Sequence, residues 1–276
     1  IIFMLNNIFI TGGSSYLGKN LVDQLTDYNL FVLKNKNNIL QHDNIQEIDH
    51  LPENINLFFN EHKIDYVIHL ASNSKRERNI EFFEDIIDTN IMLGLEILES
   101  AINSPVKKLI SAGSYSQDVI EHPLSLYTIS KNYFEKLQKI FSENYNLQNT
   151  SLHFGDIYGP SDDRNKLIPY ILKHENKNVI EFESDGNGLF SPLFIKDAVE
   201  SIIYELKNEN KKTFKKEIIG SELVLVKDFI ETYKKIRNKN FEPIFKGISK
   251  VEYKDVSGFV KSNNLKYPLE KGLNLI

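Results

Sequence analysis

The stretch "NNIFITGGSSYLGKNLVDQL", Asn6 to Leu25, passes from one structural period to another within a few residues. Its apolar run at Ile8–Ile10 is short and β-favouring and reads as a buried strand. From Tyr16 onward the apolar residues Leu17, Leu21, Val22 and Leu25 recur at helical spacing and predict a helix over Tyr16–Tyr28. The join is "TGGSSYLG", Thr11–Gly18. Glycines between a buried strand and a helix N-terminus let backbone N–H groups approach a pyrophosphate, where the helix dipole favours negative charge. The plain alternative is a loop that only turns the chain; its place directly after the first buried strand favours the nucleotide reading. The spacing Gly12, Ser15, Gly18 departs from the usual pattern, because the middle position normally carries glycine. The Ser15 Cβ narrows the approach, while its hydroxyl can donate to a phosphate.

The same alternation continues. Strands are predicted at "NLFVLK" (Asn29–Lys34), "IQEI" (Ile45–Ile48), "DYVIHLAS" (Asp65–Ser72), "VKKLISAGS" (Val106–Ser114) and "NTSLHF" (Asn149–Phe154). Helices fall between them: one begun by Pro52, a long one over Phe82–Ile102, and one carrying "SLYTISKNYFEKL" (Ser125–Leu137). Repeated strand–helix units imply an α/β fold with a doubly wound parallel sheet covered on both faces. Residues 1–155 read as a dinucleotide-binding Rossmann domain. Residues 156–276 read as a smaller substrate-binding lobe, parts of which return to the sheet, with helices at Leu167–Glu175, from Asp197 and from Val226 and a strand at Val179–Phe182. The charge run "KNENKKTFKKE" (Lys207–Glu217) reads as a solvated face.

Composition narrows the function. The 276 residues carry a net charge of −5, which argues against a nucleic-acid groove. The absence of Cys removes disulfides, thiolate metal sites and Cys nucleophiles and fits a reducing compartment. The seven His are scattered without ligand spacing, so no metal is expected. The apolar start lacks a basic region and a small-residue cleavage site, and no run approaches the ~18 apolar residues of a membrane span. A cytoplasmic enzyme is the expectation.

Tyr127 and Lys131 stand four residues apart, so they share a helix face, and a cation beside a phenol favours phenolate. With 13 Tyr and 33 Lys plus Arg in the chain, chance supplies about 1.6 such pairs, and Tyr267 with Lys271 repeats the spacing. Context separates them. Ser114 ends the fifth strand, on the edge where open α/β sheets bind ligands, and the helix of Tyr127 begins nearby; Tyr267 lies in a tail. At the end of the second strand, "LKNKNN" offers Lys34 and Lys36 where an acid would bind the ribose hydroxyls of NAD. Cations there suit the 2′-phosphate of NADP, so NADP(H) is expected ahead of NAD(H).

Together these motifs resemble the extended short-chain dehydrogenase/reductase family, the NAD-dependent epimerase/dehydratase group acting on nucleotide sugars. The resemblance spans nearly the whole chain. It implies a Ser114–Tyr127–Lys131 triad, with Ser114 polarising a carbonyl, Tyr127 as acid/base and Lys131 holding the nicotinamide ribose. It implies cofactor contacts from Gly12, Ser14, Ser15, Tyr16, Leu17 and Gly18. Asp49 resembles the adenine-binding acid, Leu70, Ala71 and Ser72 lie in the fourth-strand signature, and Asn90 matches the Asn of the following helix. Substrate contacts are implied for Ser72, Asn73, Ser114 and Tyr115. "GDIYGP" (Gly155–Pro160) resembles the entry to the substrate lobe and "LKYPLEKGL" (Leu265–Leu273) the C-terminal end, which gives Tyr267 and Lys271 a structural explanation.

The departures are informative. Asp156 replaces the family's usual Asn, and Phe190 stands near where an Arg often helps hold the diphosphate; Arg164 and Lys166 are the substitutes on offer. Tyr115 and Ser116 follow Ser114 where the 4,6-dehydratases carry Asp-Glu, and there is no Cys for a combined 3,5-epimerase and reductase. The segment around Arg164 is most similar to that of the CDP-abequose and CDP-paratose synthases, which are 4-ketoreductases. The resulting expectation is NADPH-dependent reduction of a 4-keto deoxy sugar nucleotide. A 4-epimerase with tightly bound NAD and a non-catalytic cofactor-binding regulator of the same fold remain as alternatives. Broad apolar stripes on the helices around Asp85–Ile102 and Ser130–Tyr145, including Ile129, Tyr133, Phe134, Leu137, Ile140 and Phe141, predict a homodimer through four helices.

Overall fold

The computed structural model describes residues 5–33, 44–48, 53–74, 82–122, 124–208, 213–248, 251–256, 259, 262 and 264–276. In chain order it begins β1 (Asn7–Thr11), α1 (Tyr16–Val22), β2 (Asn29–Leu33), β3 (Ile45–Ile48), α2 (Ile55–Glu61) and β4 (Ile64–His69). Next come α3 (Phe83–Ile87), a π-helical turn (Asp88–Met92), α4 (Leu93–Ile102), β5 (Lys108–Ser114), α5 (Ser116–Val119), β6 (Ile120–His122), α6 (Leu126–Tyr145) and β7 (Gln148–Phe154). The remainder comprises β8 (Asp156–Tyr158), α7 (Leu167–His174), β9 (Val179–Phe182), β10 (Leu189–Phe190), β11 (Pro192–Phe194), α8 (Ile195–Lys207), β12 (Phe214–Ile219), β13 (Val224–Leu225), α9 (Val226–Arg237), β14 (Glu242–Phe245), β15 (Glu252–Tyr253) and α10 (Leu269–Leu273).

These elements form two compact units, Ile1–Gln117 with Leu124–His153 and Val199–Glu217, and Asp118–Pro123 with Phe154–Ala198 and Ile218–Ile276. The first unit is built on a seven-stranded sheet of order β12-β7-β5-β4-β1-β2-β3. The pairs β1–β2, β2–β3, β1–β4 and β4–β5 are parallel, as the strand–helix alternation requires. Ile8, Phe9 and Ile10 are fully buried, which explains why β1 reads as a continuous apolar run instead of an alternating one. One face of the sheet is filled by Phe9, Phe31, Phe59, Val67, Ile97, Leu98, Leu109, Phe134 and Phe141. Phe9 meets Phe59 edge-on at 5.1 Å between centroids. The doubly wound parallel fold is therefore observed.

Several boundaries differ from the sequence reading. Helix α1 stops at Val22 because the chain tightens there: Gln24 N–H bonds Leu21 O at 2.9 Å and Leu25 N–H bonds Val22 O at 3.1 Å, both three residues back. Helix α2 starts at Ile55 on an Asn54 cap, whose side chain accepts from Leu57 N–H; Pro52 lies outside the described residues. The expected single helix over Phe82–Ile102 is interrupted by the π-turn. The charge run is more than a solvated face, since its last residues enter β12 at the edge of the sheet. Lys215 there lies 2.7 Å from Glu217 and also pairs with buried Glu205. A charged edge strand resists pairing with another chain.

The apolar stripe of α6 divides between two faces. Phe134 and Phe141 turn into the core, whereas Ile129 (45%), Tyr133 (53%) and Ile140 (47%) stand exposed on one face. The second unit has short pairings of its own: β8–β11 and β9–β14 parallel, β10–β13 and β6–β15 antiparallel. Tyr158, Phe194, Phe229 and Tyr233 fill its interior. Among the described residues no helix is long and apolar enough to cross a membrane.

Candidate active site

The first turn is shaped by two glycines. Gly12 has φ +73°, and a Cβ built on it would fall 2.6 Å from Ala71 N and 2.7 Å from Leu70 C. The turn after β1 therefore lies directly against the backbone that leaves β4. A Cβ on Gly18 would fall 2.2 Å from Gly12 O, so the first helical turn also closes on this loop. Ser15 replaces the expected glycine because its backbone is ordinary and extended (φ −69°, ψ 166°). Its Oγ caps α1, accepting from Gly18 N–H at 3.1 Å. The Leu17 side chain is buried in the core, so only its backbone can face a ligand; Ser14 and Tyr16 are half-buried and Ser15 is exposed. Gly12 and Gly18 are thus both required by the close approach of backbone to backbone in this turn. Lys34, Lys36 and Asp49 lie outside the described residues.

Helix α6 begins at a Ser125 cap whose Oγ accepts from Thr128 N–H at 3.1 Å. This places Tyr127 in the first turn and Lys131 one turn on, along the same face. Lys131 is buried, and its Nζ donates to Ala112 O at 2.8 Å. Ala112 is two residues before Ser114 on β5, so this bond ties the Tyr127–Lys131 helix to the carboxyl end of the strand bearing Ser114. Among the described residues Ala112 O is the one hydrogen-bond acceptor for Lys131, which leaves two N–H donors that suit the hydroxyls of a cofactor ribose. Burial pushes the Lys131 ammonium down to about 8. His69, at the end of β4, is driven down to about 3 by burial first and by the Lys131 charge second. It is neutral at pH 7, with Nδ1 2.8 Å from Thr11 Oγ1, and joins β4 to β1.

Ser114 is half-buried. Its Oγ lies 2.9 Å from Ser116 Oγ and accepts weakly from Ser116 N–H at 3.3 Å, while its own N–H donates to Gln117 Oε1 at 2.8 Å. Tyr115 and Tyr127 are also half-buried.

Asn90 differs from the cofactor contact that its sequence position implies. It sits in the π-turn, fully buried, with all four amide positions used. Its Oδ1 accepts from Asn73 N–H at 2.7 Å and Ser72 Oγ at 3.3 Å; its Nδ2 donates to Asn73 O at 3.1 Å and Ser130 Oγ at 2.9 Å. An amide has no further capacity, so Asn90 clamps the segment after β4 to α6 instead of reaching a ligand. Ser72 and Asn73 are thereby held in place beside Leu70 and Ala71.

The second unit holds the other predicted residues. Asp156 Oδ2 accepts from Ser191 N–H at 3.1 Å, and the Asp156 N–H donates to Ser191 O at 2.6 Å, so this side chain braces β8 against β11. Arg164 forks onto Asp162, with Nε to Oδ1 at 2.7 Å and Nη2 to Oδ2 at 2.8 Å; Nη2 also reaches Ile157 O at 2.7 Å. Lys166 occupies the cap position of α7. Tyr267 packs on Phe194 at 4.9 Å with the Lys271 Nζ over its ring at 4.3 Å, and Asp197 accepts from the N–H groups of Lys266 and Tyr267. That second Tyr–Lys pair secures the chain's last segment. Gln117, Glu135 of α6 and His153 of β7, which lie close to the end of β5, carry no sequence signal. No metal-binding cluster occurs among the described residues.

A βα turn of tightly packed glycines after β1, Ser114 at the end of β5, and Tyr127 with buried Lys131 on the α6 that is tied to β5 are the parts of a nicotinamide-dependent enzyme of the short-chain dehydrogenase/reductase type. The sequence model of the NAD dependent epimerase/dehydratase family matches residues 8–219, and the chain belongs to that family. CDP-abequose synthase of Salmonella typhimurium is 24% identical, over 76% of this chain and 73% of its own. The fold is shared with UDP-glucose 4-epimerase of Thermotoga maritima, solved with UDP-glucose, at a TM-score of 0.80 and 22% identity over 98% of this chain and 96% of that one. MoeE5, solved with UDP-glucuronic acid and NAD, superposes at a TM-score of 0.81 and 18% identity, over 98% and 97% of the two chains.

Proposed function

We propose that the protein reduces the 4-keto group of a deoxy sugar nucleotide with NADPH, in the cytoplasm, as a step toward deoxysugars of surface polysaccharides. The observation that carries this reading is the Lys131–Ala112 bond, which fixes α6 with Tyr127 beside the β5 end that presents Ser114. When bound, the reduced nicotinamide supplies a hydride to the carbonyl carbon. Ser114 donates a hydrogen bond to the carbonyl oxygen and orients it, with Ser116 holding the Ser114 hydroxyl in turn. The Tyr127 hydroxyl delivers its proton to the same oxygen as the alcohol forms. In this direction the phenol begins protonated, so no prior ionisation is required. Lys131, still cationic at neutral pH, stabilises the phenolate left behind and offers its two remaining donors to the cofactor ribose.

Support for reduction also comes from the likeness to CDP-abequose synthase and from Tyr115 and Ser116 in place of a dehydratase's acids. The intact Ser114, Tyr127 and Lys131 weigh against a non-catalytic regulator. A second reading, 4-epimerisation with retained NAD, is favoured by the fold shared with the 4-epimerase and by the NAD in MoeE5. Incubation with 4-keto-6-deoxy and 4-keto-3,6-dideoxy sugar nucleotides separates the two. The reductase consumes one NADPH per ketone; the epimerase interconverts 4-hydroxyl isomers with no net cofactor change. NADPH is preferred through Lys34 and Lys36, so replacing both with Ala weakens NADPH about 5- to 30-fold and leaves NADH nearly unchanged. Equal effects on the two cofactors overturn that preference.

A further inference from the structure

The end of β5 is gripped at three successive residues. Ala112 O takes the Lys131 ammonium. Gly113 seats the buried His153 ring of β7, since a Cβ at Gly113 would fall 2.3 Å from His153 Cδ2. Ser114 N–H donates to Gln117 Oε1 at 2.8 Å. Gln117 is itself buried and carries the connection onward: its Nε2 donates to Glu135 Oε2 at 3.3 Å and to Asn132 Oδ1 at 3.4 Å, both on α6. Glu135 Oε2 stands 2.8 Å from His153 Nε2. Its Oε1 lies 3.9 Å from Lys216 Nζ.

We infer that Gln117, supported by Glu135 and His153, is a positioning residue that fixes Ser114 relative to the helix carrying Tyr127 and Lys131. This rests on the role given to Ser114 under the proposed function. The side-chain chemistry restricts the choice of residue. The link needs one group that accepts from a backbone N–H and also donates to a carboxylate, and a primary amide does both. Glutamate at 117 would oppose Glu135, and an apolar side chain would do neither. Glu135 lies two turns after Tyr127 and one after Lys131, so the brace and the reacting groups share one rigid helix. Displacement of a polarising hydroxyl by about 1 Å can cost up to ~100-fold in rate, so a short side chain-to-backbone bond can matter greatly for turnover.

The test is Gln117→Met, which keeps the volume and removes the hydrogen bonds to Ser114, Glu135 and Asn132. Amide hydrogen exchange is followed on the peptide containing Ser114, and kinetics are measured with NADPH and the keto sugar nucleotides above. The variant is expected to fold, bind NADPH within about two-fold of the parent, keep its KM and lose about ten-fold in kcat. The Ser114 amide should exchange about ten-fold faster, with the rest of β5 unchanged. In a Ser114→Ala background the same change should cost nothing more, because Gln117 acts through Ser114. Unchanged exchange at Ser114, or a full additional loss on top of Ser114→Ala, overturns the inference. If Ser114→Ala alone leaves turnover intact, the proposed function falls, while the exchange measurement still decides the brace. Should Gln117→Met fail to fold, Glu135→Leu must speed the same amide and Glu135→Gln, which retains an acceptor for Gln117, must not.

Discussion

Tyr127 and Tyr267 have the same local sequence relation to a lysine and opposite surroundings. Lys131 is buried with its ammonium on β5, whereas Lys271 lies over the Tyr267 ring. A cation on the face of an aromatic ring contributes about 0.5–1 kcal/mol at an exposed site and does not activate the hydroxyl. Tyr127→Phe should therefore leave cofactor affinity nearly intact and cut turnover by at least about 100-fold, the scale of a lost general acid. Tyr267→Phe should change turnover by less than about two-fold, because it keeps the ring that packs on Phe194. Parallel kinetics on the two variants check this, and equal losses would remove Tyr127 from the chemistry. The pair spacing could be read in the chain but its meaning could not, because burial of a lysine depends on residues distant in sequence.

At the scale of elements, the site depends on how α6 meets its neighbours. Gly94, one residue into α4, has no room for a side chain: a Cβ would fall 2.3 Å from the Phe134 ring. Phe134 is itself buried in the core and cannot move away cheaply. Gly94→Ala should lower unfolding stability by about 1–3 kcal/mol through overpacking, read as a lower denaturant midpoint. Gly188→Ala is the control, since its added Cβ meets nothing nearer than 3.7 Å, and it should stay within about 0.5 kcal/mol of the parent. Similar losses in both would mean that the α4–α6 approach is not the cause. The π-turn just before Gly94 brings Asn90 to Ser72, Asn73 and Ser130. Apolar periodicity in Phe82–Ile102 announces a helix, but an extra residue in one turn hardly disturbs that pattern, so the turn is not apparent in the sequence.

For the molecule as a whole, Ile129, Tyr133 and Ile140 form an exposed apolar stripe on α6, and Met92 of the π-turn is also exposed. Part of the predicted excess is thus absorbed by the sheet, through Phe134 and Phe141, and part is not. We propose that the exposed part pairs with the same surface of a second chain around a two-fold axis. Light scattering at micromolar concentration should give about twice the 32.0 kDa chain mass, and Ile129→Asp with Ile140→Asp should return it to one chain. A single-chain mass for the parent protein would refute the pairing.

The fold class was present in the chain itself. A parallel sheet buried on both faces needs continuous apolar strands separated by helices, and "NNIFITGGSSYLG" with its successors has no other economical arrangement. The glycines of the first turn were legible too, because close backbone approach requires Gly, and the four-residue spacing of Tyr127 and Lys131 put both on one helix face. What the tertiary structure alone decided was the use of each polar group. Asn90 is saturated by protein partners, Arg164 is forked onto Asp162, and Gln117 joins Ser114 of β5 to α6. Hydrogen bonds are satisfied in space, between residues as far apart as Glu135 and His153, and no local pattern records which partners a side chain will meet.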